Sequence, residues 1–217
     1  MSLTRKMFSS LAIVCLLCVS TVTDALGQQA TQSLERAKVS TPMTSRELLS
    51  TLRQAHIDQY GSPPSLPRLA MAWAQVALEN DRGHIMWNHN TGNIGPGKGN
   101  TWYQHSPRAR YRSFETFAEG AKVYWQVVAN CGSAFRLFDT GQPTLVAEYL
   151  KKCGYYESEL DSYAKGLTLW FNHALKTLIP EEERERREKT KREREEREWT
   201  DYQLTHAFTS KCACSQP

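Results

Sequence analysis

Glu79 ends an apolar run, Leu66-Pro-Arg-Leu-Ala-Met-Ala-Trp-Ala-Gln-Val-Ala-Leu-Glu79. A glycine- and asparagine-rich stretch follows at Gly92-Asn-Ile-Gly-Pro-Gly-Lys-Gly-Asn100. A carboxyl at a helix C-terminus faces the negative end of the macrodipole. If it is also partly buried its pKa rises, and it can hold a proton to deliver. A buried helix that presents one acid to a cleft suits the cleavage of glycosidic bonds. The side-chain amides of Asn90 and Asn93 can bind a sugar amide or satisfy turns. Trp102 and Tyr103 can stack on a pyranose face or pack a hairpin. No Asp or Glu occurs between Thr91 and Arg112, so a second acid must come from outside that stretch. Asp81, Glu115 and Glu119 are the candidates. His84, His89 and His105 match no tight ligand spacing, so no metal or other cofactor is expected. The chain has neither a Gly-Lys-Ser/Thr phosphate loop nor a Gly-x-Ser-x-Gly nucleophile elbow.

These residues need elements to place them. Thr44-Ser-Arg-Glu47 is a capping box opening a helix to about Tyr60, with Leu48, Leu49, Leu52 and Ala55 on one side. Ser65 caps the next helix, in which Pro67 is tolerated in the first turn. That helix is apolar almost all round and belongs in the middle of a domain, where its length of roughly 20 Å crosses a small core. Residues 81–112 break the helical pattern. The β-prone pieces Thr101-Trp-Tyr103 and Ala109-Arg-Tyr111 point to a small hairpin or an ordered loop. Ser113 is placed as the cap of a helix carrying Phe114, Phe117, Ala121, Tyr124, Val127 and Val128. A shorter helix follows Pro143, and a last core helix runs from about Glu159 to Leu178, after which Pro180 interrupts the chain. The fold class is mainly α, with a charged helix at the C-terminus.

Residues 181–198 are almost entirely Glu, Arg and Lys, with pairs such as Glu182–Arg186 and Glu193–Arg197 at i,i+4 spacing. Without an apolar seam this is a solvated helical spacer, not a coiled coil. A protein partner for the arm fits this reading. Acids and bases nearly cancel, which disfavours nucleic acid.

The first 27 residues have a basic start at Arg5 and Lys6, a short apolar core from Leu11 to Val19, and small residues at Ala25-Leu-Gly27. This is the pattern of a secretory signal peptide, too short to span a bilayer, and it implies an exported, periplasmic or secreted protein. Residues before Cys15 and Cys18 do not suit lipid attachment. Residues 28–43 read as a linker, 44–179 as the folded domain and 180–217 as the charged arm with a cysteine-containing tail. Removing the leader takes the formal charge from +4 to +3, a mildly basic balance that suits an anionic wall polymer. Cys131 and Cys153 flank a predicted helix and either bridge in an oxidising compartment or stay as buried thiols. The pairing of Cys212 and Cys214 is left open.

Four blocks occur in order: Ala72-Trp-Ala-Gln-Val-Ala-Leu-Glu79, then Gly92-Asn-Ile-Gly95, then Tyr111-Arg-Ser-Phe114, then Gly154-Tyr-Tyr156 with Ser162-Tyr-Ala-Lys165. Over roughly residues 45–175 this resembles the glucosaminidase family, which includes the flagellar-type peptidoglycan hydrolases of the lysozyme-like superfamily. The resemblance implies a lysozyme-like, two-lobed helical domain with a sugar cleft between the lobes. It implies cleavage of the β-1,4 bond between N-acetylglucosamine and N-acetylmuramic acid in peptidoglycan strands. Glu79 would match the family's acid, and Tyr155 and Tyr163 its cleft tyrosines, with Tyr155 at the chemistry. Asn90, Asn93, Trp102, Tyr111, Tyr156 and Tyr163 would bind substrate. The chain departs from the family at Asn80-Asp-Arg-Gly83, in about two extra residues within the tyrosine block, and in the acid-free lobe. One acid alone is compatible with attack by the substrate's acetamido group, or by the muramyl hydroxyl as in a lytic transglycosylase. A non-catalytic wall-binding or assembly protein is the reading from another class.

Overall fold

The computed structural model describes residues 34–212. The leader and Cys214 lie outside them. Helix α1 spans Ser45–Tyr60 and α2 spans Leu66–Asn80; a short 3-10 turn, Asp81–Gly83, ends α2. Strands β1 (Trp102–Ser106) and β2 (Ala109–Arg112) form an antiparallel hairpin in which Tyr103 faces Tyr111. Then come α3 (Phe117–Asn130), α4 (Ser133–Leu137), α5 (Pro143–Lys152), α6 (Leu160–His173) and α7 (Ile179–Cys212). No helix among the described residues is long and apolar enough to cross a membrane.

α2 is the axis of the core, because every residue from Leu69 to Ala77 is buried. The helix can only be satisfied by apolar surface on all sides, and α1, α6 and the turns at Phe138–Thr140 and Ala174–Leu178 supply most of it, with Tyr124 of α3 reaching Gln75. Trp73 Nε1–H donates to Ser45 O at 3.1 Å, and Trp125 Nε1–H of α3 donates to Leu52 O at 2.9 Å. Both indoles are thus buried with their N–H groups paired. Gly166 of α6 lets that helix close on α2, since a Cβ there would lie 2.6 Å from Leu78 Cδ2. The Thr44 capping box is formed at the start of α1, and Ser65 Oγ accepts from Arg68 N at 3.2 Å at the start of α2. A disulfide joins Cys131, which caps α3, to Cys153, which caps α5; their Cα atoms are 5.6 Å apart. In the chain-entropy account, closing a loop of that size contributes about 3 kcal/mol.

Three boundaries differ from the sequence reading. α3 starts at Phe117, capped by Thr116, whose hydroxyl accepts from Glu119 N at 3.2 Å. Ser113 is instead buried against Asn88, whose Nδ2 donates to its hydroxyl at 3.2 Å. Pro180 does not interrupt the chain. A π turn, Ala174–Leu178, leads directly into α7, and the wider turn absorbs the hydrogen bond that proline cannot make. From Leu34 onward the segment read as a linker is laid along the hairpin side of the domain. Arg36 N donates to Trp102 O at 2.7 Å, Trp102 N to Leu34 O at 2.9 Å, and Thr41 N to Met86 O at 2.9 Å. Its order comes from backbone pairing, which leaves no apolar period to read.

Candidate active site

Glu79 lies in the last turn of α2, one residue before the helix ends. The end is fixed by two left-handed residues, Asp81 at φ 43° and Arg82 at φ 62°. The terminal carbonyls of a helix lack intrahelical partners. Here the glycine- and asparagine-rich loop supplies one, because Asn93 Nδ2 donates to the Glu79 backbone O at 2.7 Å. Asn80 is buried and its Nδ2 donates to Thr91 O at 2.5 Å. The loop from Asn90 to Asn93 is therefore tied to the helix end that carries the acid.

The Glu79 carboxyl is half-buried. Burial pushes its pKa up from the usual 4.5, against the opposing effects of hydrogen bonds from Asn93 and Tyr163. Tyr163 OH donates to Oε1 at 3.4 Å, and Asn93 Nδ2 stands 3.5 Å from Oε2. Burial and the nearby Glu79 charge push the Tyr163 phenol far up, so it stays protonated as a donor. Its ring stacks on Tyr156 at 3.6 Å between centroids and 5° between planes. Tyr156 OH is committed to Ala147 O at 2.9 Å, which fixes the stack to α5.

Tyr155, expected at the chemistry, donates to Gly92 O at 3.1 Å, and it is Tyr163 that touches Glu79. Tyr155 thus positions the loop behind the acid. Gly92 has no room for a side chain, since a Cβ would lie 2.8 Å from the Tyr124 ring and 3.0 Å from Tyr155 OH. Asn90 is buried and saturated. Its Nδ2 donates to Ile94 O and Arg112 O, both at 2.9 Å, and its Oδ1 accepts from Ile94 N at 2.8 Å. With no polar atom left for a sugar, Asn90 is a loop-holding residue. Asn93 is half-buried and touches Glu79 directly.

On the hairpin, Tyr103 is fully buried and packs against Tyr111, whose ring centroid is 6.1 Å away. Trp102 is half-buried, with the Arg110 guanidinium 4.7 Å above its ring. Tyr111 is half-buried, and burial pushes its phenol up, followed by the charges of Glu79 and Glu157. Of the candidate second carboxylates, Asp81 pairs with Arg82 at 3.1 Å and Glu115 with Arg36 at 2.6 Å. Glu119 accepts from Glu115 N at 3.0 Å. All three are exposed and committed to these local partners.

Sequence reasoning missed Gln75 and Tyr124, which pack behind the acid's side of α2. Gln75 was readable, for i,i+4 spacing puts it on the Glu79 side of α2. It is fully buried and its Oε1 accepts from Tyr124 OH at 2.7 Å.

No protein-family model matches this chain, and no curated protein matches it. Among solved structures it is similar to a peptidoglycan hydrolase from Sphingomonas sp. A1, at 18% identity and a TM-score of 0.47, over 64% of this chain and 91% of that one. It is also similar to the glycoside hydrolase domain of FlgJ from Salmonella typhimurium, at 17% identity and a TM-score of 0.46, over 69% of this chain and 99% of that one.

Proposed function

We propose that the protein is an exported peptidoglycan glycosidase of endo-β-N-acetylglucosaminidase type, with Glu79 as its general acid. The observation that carries this reading is the Glu79 carboxyl itself. It is half-buried at a helix end, raised by desolvation, and held between Tyr163 and Asn93. A carboxyl whose pKa is raised holds its proton to higher pH and can give it to the leaving glycosidic oxygen as the C1–O bond breaks. Positive charge then develops at the ring, and the Glu79 carboxylate left behind stabilises it. Tyr163 and Asn93 hold the carboxyl in one orientation through both states. Tyr111 and Trp102, both half-buried, offer aromatic surface for the sugar rings, whereas Tyr156 and Tyr163, expected to bind substrate, are buried against each other. From Arg186 to Leu204 the charged arm is exposed, which leaves surface for a protein partner.

The hairpin lobe carries no acid, which keeps a second chemistry open. Attack by the muramyl hydroxyl would give an anhydro end, as in a lytic transglycosylase. Incubating the protein with purified peptidoglycan and weighing the released muropeptides tests both. The expected products have hydrolysed reducing ends; ends lighter by one water would reassign the chemistry to transglycosylation. Release of no product at all would contradict the glycosidase reading and favour a wall-binding protein.

A further inference from the structure

The two faces of the hairpin carry different chemistry. Side chains alternate along a strand, and directly paired residues share a face. Tyr103 pairs with Tyr111 on one face, and Tyr103 is fully buried there. Trp102 pairs with Arg112 and Gln104 with Arg110, which puts both arginines on the other face. Arg110 is exposed and Arg112 half-buried. The stretch from Thr91 to Arg112 holds Lys98, Arg108, Arg110 and Arg112 and no acid, whereas the whole chain sets 27 Lys and Arg against 23 Asp and Glu. Positive charge is therefore concentrated on this lobe.

Both guanidiniums are oriented without being neutralised. Gln104 Nε2 donates to Ala109 O at 3.2 Å, which leaves its Oε1 to accept from Arg110 Nε at 3.2 Å. The Arg110 guanidinium also rests 4.7 Å above the Trp102 ring. Arg112 Nη2 donates to Asn100 Oδ1 at 2.7 Å, and its guanidinium lies 5.2 Å from the centre of the buried Phe114 ring. Amides and rings hold a guanidinium in place but leave its charge whole. Elsewhere on the domain, Arg36, Arg46, Arg53, Arg68 and Arg82 each pair with a carboxylate. Among the described residues no carboxylate pairs with Arg110 or Arg112, so each keeps N–H donors for an anion from outside.

We propose that this face of the hairpin binds the carboxylates of the peptide stems carried by the glycan strand. The proposal rests on the reading that peptidoglycan is the substrate. The sugar rings of such a strand are neutral once their lactyl groups are joined to stems, and the stems carry the negative charge. The planar fork of arginine matches a carboxylate with two parallel N–H donors. Arg110 and Arg112 stand two residues apart on one face, about 7 Å along the strand, within reach of one short peptide. An acid in this lobe would compete with the stem for these guanidiniums, which accounts physically for a lobe without one.

The test measures binding by titration calorimetry with Glu79→Gln, so that no strand is cut during the assay. The probes are soluble peptidoglycan strands, the same strands with their stem carboxyls amidated by carbodiimide and ammonium, and polyglycerol phosphate. Intact strands should bind about tenfold tighter than amidated ones at low salt, and the difference should shrink at high salt. Adding Arg110→Gln and Arg112→Gln together should remove the difference. If Arg112→Gln lowers the melting temperature, Arg110→Gln alone, at the exposed position, should still reduce the preference about threefold. Equal binding of the two strand forms, or a preference that survives both substitutions, overturns the proposal. Tighter binding to polyglycerol phosphate than to intact strands overturns it in favour of a phosphate ligand. Muropeptide release by the parent judges the glycosidase reading separately. Release without a binding preference overturns the stem surface and leaves that reading standing, whereas a preference without release supports the surface and fails the glycosidase.

Discussion

Helices α2 and α7 are each uniform around their circumference, in opposite senses. α2 is apolar on almost every side and buried from Leu69 to Ala77, whereas α7 is charged on every side from Glu181 to Glu198 and, past its first turns, exposed as far as Leu204. Polar groups on the enclosed helix have no water to fall back on, so each must be placed: Gln75 on Tyr124, Asn80 on Thr91, Glu79 between Asn93 and Tyr163. Desolvation then alters chemistry, and the pKa of the one acid of α2 is raised. α7 carries many more acids, yet its distal pairs are long and open, such as Lys191–Glu195 at 3.7 Å and Arg194–Glu198 at 3.9 Å. Its first turns meet the domain, through Arg46–Glu185 at 2.5 Å and the half-buried Arg53–Glu182 at 2.6 Å. Charge density alone does not make a reactive group; the surroundings do.

The contrast can be broken at its strongest point by Trp73→Ala in α2. Trp73 is fully buried and its indole N–H is paired, so a loss of about 3–5 kcal/mol in urea unfolding is expected. A loss below about 1 kcal/mol would mean that the enclosure of α2 is not what holds the fold. Next comes Gly92→Ala, where the added Cβ meets Tyr124 and Tyr155. It should cost about 1–3 kcal/mol and displace the loop that carries Asn93, lowering activity as well.

Asn93→Gly sharpens the comparison at the acid itself. Asn93 has φ 49°, so glycine keeps the backbone while removing the amide. A hydrogen bond that favours the charged carboxylate is lost, and the Glu79 pKa rises further. A general acid works protonated, so activity falls as pH rises through its pKa. The alkaline limb of the pH–kcat profile should therefore move to higher pH, and a move to lower pH would contradict the assignment. The smallest effect belongs to the arm. Lys191→Ala should change stability by no more than about 0.5 kcal/mol, because an exposed i,i+4 pair is worth little.

Much of this was legible in residue patterns. The Thr44 capping box, the apolar α2 and the Gly/Asn loop after Glu79 each follow from local chemistry, and the hairpin from its β-prone pieces. What was not legible depends on contacts distant in sequence. Residues 34–43 are ordered by backbone pairing to Trp102 and Met86, which no side-chain pattern reports. Asn90 reads like a sugar ligand until its amide is seen spent on Ile94 and Arg112. Tyr155 and Tyr163 are equivalent by type, and only packing shows which hydroxyl meets Glu79. Pro180 signals a break, and the π turn before it removes the conflict.

The central claim is that Glu79 is a desolvated proton donor, and Glu79→Gln tests it most directly. The isosteric change keeps the shape of the site and removes the titrating group. A carboxyl raised in the folded state costs stability as pH climbs from the usual 4.5 through its folded pKa, and the full cost remains above that. The variant should therefore melt at a higher temperature than the parent at neutral pH, and at a similar temperature below about pH 4. With the fold verified in that way, muropeptide release from purified walls should fall by at least about 10²-fold. Release at the parental rate by the folded variant would contradict the account.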